Sequence, residues 1–166
     1  MKRTRGDDEE KKELPNKKKL PIIMYTDGAC SRNGTTNAKA GIGVYFKNGE
    51  YNNISEPLDL RPATNQRAEL RAIYVGLYEV AKDVDVILYT DSMYSINCIT
   101  KWHIGWAKNG WKNAKKQPVE NQDLIKPLLN LVKKRTGNTK YIHVRGHSGD
   151  EGNNKADELA RAGIHK

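Results

Sequence analysis

The segment GIGVYFKNGEYNNISEPL, residues 41–58, predicts a β-hairpin. Its two halves, residues 41–46 and 51–58, contain alternating and β-branched side chains that favour strands. Between them lies Asn48-Gly49, the dipeptide that most strongly favours a tight hairpin turn, because both residues tolerate positive φ. We therefore expect two neighbouring antiparallel strands in one sheet.

The elements on either side of this hairpin extend it into a mixed sheet. Residues 22–26, 86–90 and 141–144 are short apolar runs typical of buried strands. After the candidate helix caps Thr64 and Asn65, large side chains recur with helical spacing at Leu70, Ile73, Tyr74, Leu77, Tyr78 and Ala81. Further helices are predicted at residues 92–100, 124–132 and 152–163, the second of them with Pro127 inside the pattern. The order β-β-β-α-β-α-α-β-α predicts an α/β fold in which an antiparallel meander continues into parallel strands flanked by helices.

Length and composition indicate one catalytic or binding domain and a charged tail. The chain has 166 residues and a net charge of +9. Residues 1–20 are rich in both charges and poor in large apolar side chains, so we expect a disordered tail followed by a single domain over residues 21–166. A domain of this length supports one ordinary hydrophobic core, and we expect a monomer.

Cysteine usage and hydropathy indicate where the chain works. Cys30 and Cys98 complete neither a zinc spacing nor a disulfide framework, which favours a reducing, intracellular compartment, cytoplasmic or nuclear. No apolar run approaches the roughly 20 residues of a membrane span, and the start of the chain lacks the apolar region of a secretory signal. We therefore expect no membrane contact.

A basic, aromatic segment indicates a polyanionic partner. Residues 101–117 contain five lysines, no acidic residue and all three tryptophans of the chain. Trp102 and Trp106 lie four residues apart and share a face if the segment is helical. Aromatic faces among cations suit a groove that follows a nucleic-acid backbone. The alternative is that the tryptophans pack locally into the core.

Two predicted strands end in the same tripeptide, Tyr-Thr-Asp, which places Asp27 and Asp91 in equivalent positions. If the strands are parallel neighbours, both carboxylates lie at one edge of the sheet, where a cation is needed to hold them together. Glu69 and Asp157 stand in similar positions on two predicted helices, beside inward-facing apolar residues. Four carboxylates without a Cys or His cluster favour Mg²⁺ or Mn²⁺ over zinc. Each acid alone is also compatible with a turn cap or an exposed first-turn carboxylate.

Four motifs, in order, resemble those of the type 1 ribonuclease H family. They are TDGACSRNG (26–34), TNQRAEL (64–70), YTDSMYSINCITKW (89–102) and HVRGHSGDEGNNKADELAR (143–161). The resemblance covers residues 22–164 and implies a ribonuclease H-like fold, a five-stranded mixed sheet flanked by helices. It implies endonucleolytic hydrolysis of the RNA strand of an RNA/DNA hybrid, with 3′-hydroxyl and 5′-phosphate products and two Mg²⁺ ions, for which Mn²⁺ is an alternative.

The resemblance also implies roles for individual residues. The metal-binding and catalytic carboxylates fall on Asp27, Glu69, Asp91 and Asp157, and the histidine of a catalytic loop falls on His147. Contacts to the RNA strand fall on Asn33, Asn65, Gln66 and Met93. A channel for the DNA strand falls on Trp102 and Trp106, and a pocket for a DNA phosphate falls on Thr64 and Asn121. Relatives often carry an arginine at the position of Pro62, and Arg61 is the nearest substitute.

Two other functions remain open at this point. One is a non-catalytic module that binds RNA/DNA hybrids, and the other is a different nuclease of the same fold, such as an integrase or junction resolvase. The intact set of four carboxylates argues against a pure binder, because acids beside phosphate weaken binding. The 20 tail residues are too few to form the separate hybrid-binding domain of relatives, so we expect affinity to depend on the lysine-rich segment.

Overall fold

One mixed sheet organises the chain, which we describe from a computed structural model covering residues 20–146 and 149–166. The sheet has five strands in the order β3-β2-β1-β4-β5. They are β1 (Ile22–Ser31), β2 (Lys39–Phe46), β3 (Ile54–Pro57), β4 (Val86–Thr90) and β5 (Thr139–His143). Strand β2 is antiparallel to β1 and β3, whereas β4 is parallel to β1 and β5. The predicted fold class is confirmed.

In the described residues, helices occupy the four predicted positions, and one more helix lies in the basic segment. They are α1 (Asn65–Glu79), α2 (Met93–Asn97), α3 (His103–Lys108), α4 (Gln122–Lys134) and α5 (Glu151–Gly163). A π-helical segment, Cys98–Trp102, joins α2 to α3, so the predicted short helix continues into the basic segment. Helix α1 begins where the Thr64 hydroxyl accepts a hydrogen bond from the Arg67 N–H at 3.1 Å, which confirms Thr64 as its cap. None of the described helices has the length and apolar character that a membrane span requires.

Three local predictions were wrong. Strand β1 does not stop at residue 26 but runs to Ser31, because β2 continues to pair with it after its pairing with β4 has ended at Tyr25. Strand β3 is shorter than predicted, since the hairpin is closed by the Asn53 side chain, which accepts from the Phe46 N–H at 2.9 Å. Tyr78 does not face the core; it is 68% exposed and stacks on Tyr74.

The main hydrophobic core lies on one face of the sheet. Met24 of β1 and Leu88 of β4 pack there with Leu70 and Ile73 of α1 and Leu128 of α4. All five side chains are fully buried. The amphipathic helices predicted from spacing therefore bury the predicted stripe, and they hold β1 and β4 firmly side by side.

Helix α5 packs on the opposite face of the sheet, where glycines allow a close approach. Side chains alternate along a strand, so Gly41 and Gly43 of β2 face away from the main core. A Cβ atom on Gly43 would overlap the Ala156 carbonyl oxygen, and one on Gly41 would overlap the Ala160 carbonyl oxygen. The close packing fixes α5 beside β1, with residues 153–157 near Asp27 and Gly28 of that strand.

Candidate active site

The register of β1 and β4 brings two predicted acids together. The parallel pairing aligns Tyr25 with Tyr89, so Asp27 and Asp91 follow two residues later on neighbouring segments of the sheet. Asp91 continues beyond the end of β4, whereas Asp27 still belongs to β1. The repeated tripeptide therefore places Asp27 and Asp91 in equivalent, neighbouring positions, as the sequence predicted.

A third acid, Glu69, reaches the pair because α1 crosses β1 at a glycine. A Cβ atom on Gly28 would overlap the backbone of Ala68 and Glu69, so only glycine permits this crossing distance. The Gly28 N–H also donates to Asp27 Oδ1 at 2.9 Å. One glycine thus both admits the helix and orients the neighbouring carboxylate.

Asp27, Glu69 and Asp91, the acidic cluster, each present an oxygen within 4.8 Å of the others. Burial, with the nearby charge of Asp91, raises the pKa of Asp27 to about 7, although a hydrogen bond with Glu69 opposes the rise. Burial, and then the charge of Asp27, raises the pKa of Glu69 well above its ordinary value. The protein thus holds carboxylates together at a cost that a divalent cation would offset.

The oxygens of the acidic cluster fit a hard cation. Glu69 Oε1 is buried and has no hydrogen-bond partner in the part of the chain that the structure describes. An unpartnered buried carboxylate oxygen is costly unless a ligand completes it. Oxygen donors alone, without sulfur or imidazole, match the preference of Mg²⁺ and Mn²⁺. The residues present therefore fit the divalent metal that the family resemblance implies.

Asp157 lies at the rim of the same cavity, whose volume is about 290 Å³. It is not among the three acids whose oxygens lie within 4.8 Å of one another. Instead, Asp157 Oδ2 accepts a hydrogen bond from Arg161 Nε at 3.0 Å, one turn further along α5. Asn153 and Asn154 line the cavity too, and the sequence analysis missed both. The predicted His147 lies outside the described residues.

Beside the acids, most of the predicted substrate contacts line one groove of about 720 Å³, here called the amide groove. They are Asn33, Thr64, Asn65, Gln66 and Asn121. Asn65 also lines the cavity of the acidic cluster, so the two sites are continuous. Pro62 lines the amide groove, but Arg61 is exposed and is not part of its lining. Three further lining residues were not predicted from the sequence, namely Gly34, Arg67 and Glu120.

The predicted tryptophan pair lies on a separate surface with the lysines. Trp102 and Trp106 line a depression of about 440 Å³ together with Lys101 and Lys112. Their ring centroids are 5.9 Å apart, and Trp102 is 41% exposed. Trp106 is partly buried against the main core, so local packing holds for this tryptophan, whereas nucleic-acid binding by the segment stays a prediction. Met93, at the start of α2, is 43% exposed.

Comparisons with known proteins agree with this geometry. The family model described as RNase H matches residues 19–165. Ribonuclease H1 of Mus musculus is 43% identical over 86% of this chain and 50% of its own length. Ribonuclease H of Clostridium botulinum (strain Hall) is 41% identical over 84% of this chain and 92% of its own length. The chain thus spans about half the length of the first curated relatives it matches.

A solved structure shares the fold. The foamy viral protease-reverse transcriptase, determined in complex with an RNA/DNA hybrid, has a TM-score of 0.70 with this chain. The alignment covers 89% of this chain and 20% of the viral protein, at 23% identity. At this identity the likeness concerns the fold alone.

Proposed function

The chain belongs to the RNase H family, and on that premise we propose that it is an endoribonuclease that hydrolyses the RNA strand of RNA/DNA hybrids. The products are 3′-hydroxyl and 5′-phosphate ends. The observation that carries the proposal is the convergence of Asp27, Glu69 and Asp91, whose carboxylate oxygens lie within 4.8 Å of one another. Asp27 comes from within β1, Asp91 follows the end of the neighbouring β4, and Glu69 comes from a helix. The mutual repulsion of these acids has no structural benefit in itself.

Four residues would hold two Mg²⁺ ions, or Mn²⁺ in their place. Asp27 would contribute to holding both ions, Glu69 and Asp91 would hold the one that activates the attacking water, and Asp157 would hold the other. When bound, such ions lower the pKa of the attacking water and stabilise charge on the phosphate and on the leaving 3′-oxygen. The chain's own contribution is to keep the carboxylates aligned before substrate arrives. The Gly28 N–H does so for Asp27, and the Ser92 N–H, which donates to Thr90 Oγ1 at 3.1 Å, steadies the turn beside Asp91.

The amide groove distinguishes the RNA strand. Asn33, Asn65 and Gln66 carry amides, which both donate to and accept from a 2′-hydroxyl. The Asn65 N–H donates to Asn33 Oδ1 at 3.1 Å, so one of these amides is already oriented by the start of α1. Met93 supplies an apolar contact on the same strand. Because Asn65 also lines the cavity of the acids, a ribose held here lies beside the hydrolytic site.

The other strand is selected for the absence of 2′-hydroxyls. The flat faces of Trp102 and Trp106 pack against deoxyriboses, where an added hydroxyl would clash. Thr64 and Asn121 receive a phosphate of the DNA strand. Lysines around the tryptophans add affinity that does not depend on sequence. The resemblance places the histidine of a catalytic loop at His147, and we propose for it proton transfer to the departing 3′-oxygen or help in releasing product, since an imidazole can both accept and donate a proton.

Cleavage of a labelled hybrid tests the proposal. We expect the wild-type protein to cut the RNA strand of a hybrid with Mg²⁺, to leave duplex DNA and duplex RNA intact, and to stop when a chelator is added. Asp27→Asn should reduce the rate by about a thousandfold or more, because several kcal/mol of charge stabilisation depends on that carboxylate. Its affinity for the hybrid should remain.

The exposed acid Asp59 provides a matched control, and Asp59→Asn should cut at the wild-type rate. Binding without cleavage in the wild-type protein would leave a binding module. Equal cleavage of duplex DNA would favour another nuclease of this fold. Wild-type turnover by Asp27→Asn would remove the assignment of the acidic cluster.

We also propose that the chain works as a monomer inside the cell. Both cysteines are free thiols, and burial raises the pKa of Cys98 to about 11, which makes this thiol unreactive. Sedimentation of the protein at micromolar concentration, alone and on a short hybrid, tests the monomer. A dimer that persists on dilution would contradict it.

A further inference from the structure

Arg67 is buried beneath the amide groove, and all three nitrogens of its guanidinium donate hydrogen bonds. It is 4% exposed and makes five hydrogen bonds. Two of them form a fork to Asp123, at 2.8 and 2.7 Å. The others reach the carbonyl oxygens of Pro62 at 2.7 Å and Arg61 at 3.2 Å, and Asn121 Oδ1 at 3.3 Å. One side chain thus joins the turn before α1 to the start of α4.

Asn121 is held at both ends of its side chain. Its Oδ1 accepts from Arg67, and its Nδ2 donates to Tyr94 Oη at 2.9 Å. Its backbone lies in the left-handed region, with φ of 66°, at the residue that precedes α4. The Tyr94 ring in turn meets Trp102 edge to face, with centroids 5.9 Å apart. A continuous chain of contacts therefore links the amide groove to the tryptophan surface.

The groove has little free positive charge. Arg67 is the one cation among its described lining residues, and its charge is matched by the fork to Asp123. Glu120 adds a negative charge to the lining. A phosphate of the DNA strand must here be bound by neutral donors, which are the Thr64 hydroxyl and the Asn121 amide. Hydrogen bonds weaken steeply with misalignment, so the positions of these donors decide the affinity.

We propose that Arg67 is a positioning residue for the DNA strand. By tying residues 61–62 to Asn121, it fixes the distance between the two walls of the groove, and Tyr94 completes the alignment of the Asn121 amide. The groove then binds one backbone phosphate through aimed neutral donors. The inference rests on the proposed function, because it takes the amide groove to be a site for hybrid.

A purely structural role for Arg67 has different consequences. Arg67 is buried, but the Asp123 side chain is 59% exposed, and ion pairs with a solvated partner contribute little net stability. Stability alone is therefore a weak reason for this arrangement. The chain contains a matched control in Arg135, which is 8% exposed. Arg135 donates to the carbonyl oxygens of Val80 and Val84, at 3.2 and 2.6 Å, and is not part of the groove.

The test measures hybrid binding in the cleavage-deficient Asp27→Asn background. A series of hybrids carries one neutral methylphosphonate at successive positions of the DNA strand. We expect one position to weaken binding about tenfold, as loss of a hydrogen bond to a charged group requires. Arg67→Lys keeps the charge but not the fork to Asp123. In this variant the loss of affinity at the sensitive position should shrink to about twofold or less, while the effects of methylphosphonates at other positions stay the same.

Two more variants separate alignment from stability. Tyr94→Phe keeps the ring against Trp102 but removes the hydrogen bond to Asn121, and it should also reduce the loss at the same position. In Arg135→Lys, the methylphosphonate at this position should still weaken binding about tenfold, even if the variant has a lower free energy of unfolding. In the cleaving protein, Arg67→Lys should raise KM and leave kcat unchanged within about twofold.

Three results would overturn the inference. One is an unchanged tenfold loss in both Arg67→Lys and Tyr94→Phe, which would reduce Arg67 to a structural residue. Another is that no methylphosphonate position weakens hybrid binding when the residues of the groove are unchanged. A third is equal shrinkage in Arg135→Lys. If the background protein bound no hybrid at all, the proposed function itself would fall, and that outcome is distinct from the other three.

Discussion

Asp27→Asn should make the metal-free protein more stable at pH 8, although it removes the proposed activity. Asp27 is 4% exposed, and burial, with the charges of Asp91 and Asp157, raises its pKa from 3.8 to about 7. Asparagine has almost the same shape and keeps the Oδ1 atom that accepts from the Gly28 N–H. The substitution therefore removes a buried charge while the local packing stays.

The sign follows from where the proton is held. Between pH 4 and pH 7 the folded protein keeps a proton on Asp27 that the unfolded chain has already lost. The folded state then binds more protons, so stability falls as pH rises and the full cost is present above about pH 7. A rise of about three pKa units corresponds to about 4 kcal/mol. Because Asp27 and Glu69 share a hydrogen bond, part of this cost belongs to the pair, and we expect the variant to gain about 2–4 kcal/mol at pH 8.

Urea unfolding with chelator, repeated from pH 4 to pH 8, measures the effect. The two proteins should differ by less than about 1 kcal/mol at pH 4, and the difference should grow by up to about 1.4 kcal/mol per pH unit. Asp59→Asn, at an exposed carboxyl, should show no such growth. Millimolar Mg²⁺ should stabilise the wild-type protein more than the variant. A difference that is the same at pH 4 and pH 8, or a less stable variant at pH 8, would refute the reasoning.

Three further predictions concern charge, packing and metal. Replacing Lys112, Lys115 and Lys116 by Ala should weaken hybrid binding and flatten its salt dependence by about 2–3 in the slope of log affinity against log salt, measured by anisotropy; an unchanged slope would reject these phosphate contacts. Gly43→Ala should cost about 3 kcal/mol in urea unfolding, since its Cβ would overlap the backbone of α5. Gly105→Ala, where a Cβ meets no atom within 4 Å, should instead gain about 0.5–1 kcal/mol, and equal effects at both sites would contradict this packing. Mg²⁺ binding at pH 6 should release protons from the acidic cluster, seen by calorimetry in buffers of different ionisation enthalpy, and a buffer-independent heat would count against the raised pKa values.

The sheet and the acidic cluster were predictable because their signals are local and repeated. The tripeptide repeated in two strands places Asp27 and Asp91 in register once the strands are parallel, and the helical spacing after Thr64 carries Glu69 to them. What the sequence concealed depends on long-range pairing. The extension of β1 past Asp27 needs β2 as its partner, and nothing within β1 itself signals it.

Arg67 was missed for a related reason. It lies three residues before the buried Leu70, a spacing that points inward, but an arginine in a helix is ordinarily exposed. Its acidic partner is 56 residues away, so no local pattern joins them. Asp157 shows the converse, since its position was predicted while its pairing with Arg161 was not. The i,i+4 spacing of those two residues was the available signal.

Charged groups inside the fold are of two kinds. Some are paired within the protein and support its structure, and others lack such partners and form the candidate site. Arg67 is almost fully buried, yet its fork to Asp123 and its carbonyl partners satisfy the guanidinium within the chain. In the acidic cluster Asp27 is buried and Glu69 is half-buried, but Glu69 Oε1 has no hydrogen-bond partner among the described residues. Burial, and then the charges of neighbouring carboxylates, raise the pKa of both acids. A charge that the protein satisfies by itself holds structure in place. A charge that it leaves unsatisfied destabilises the free protein until a cation binds, so the same deficit that lowers stability supplies selectivity for the metal.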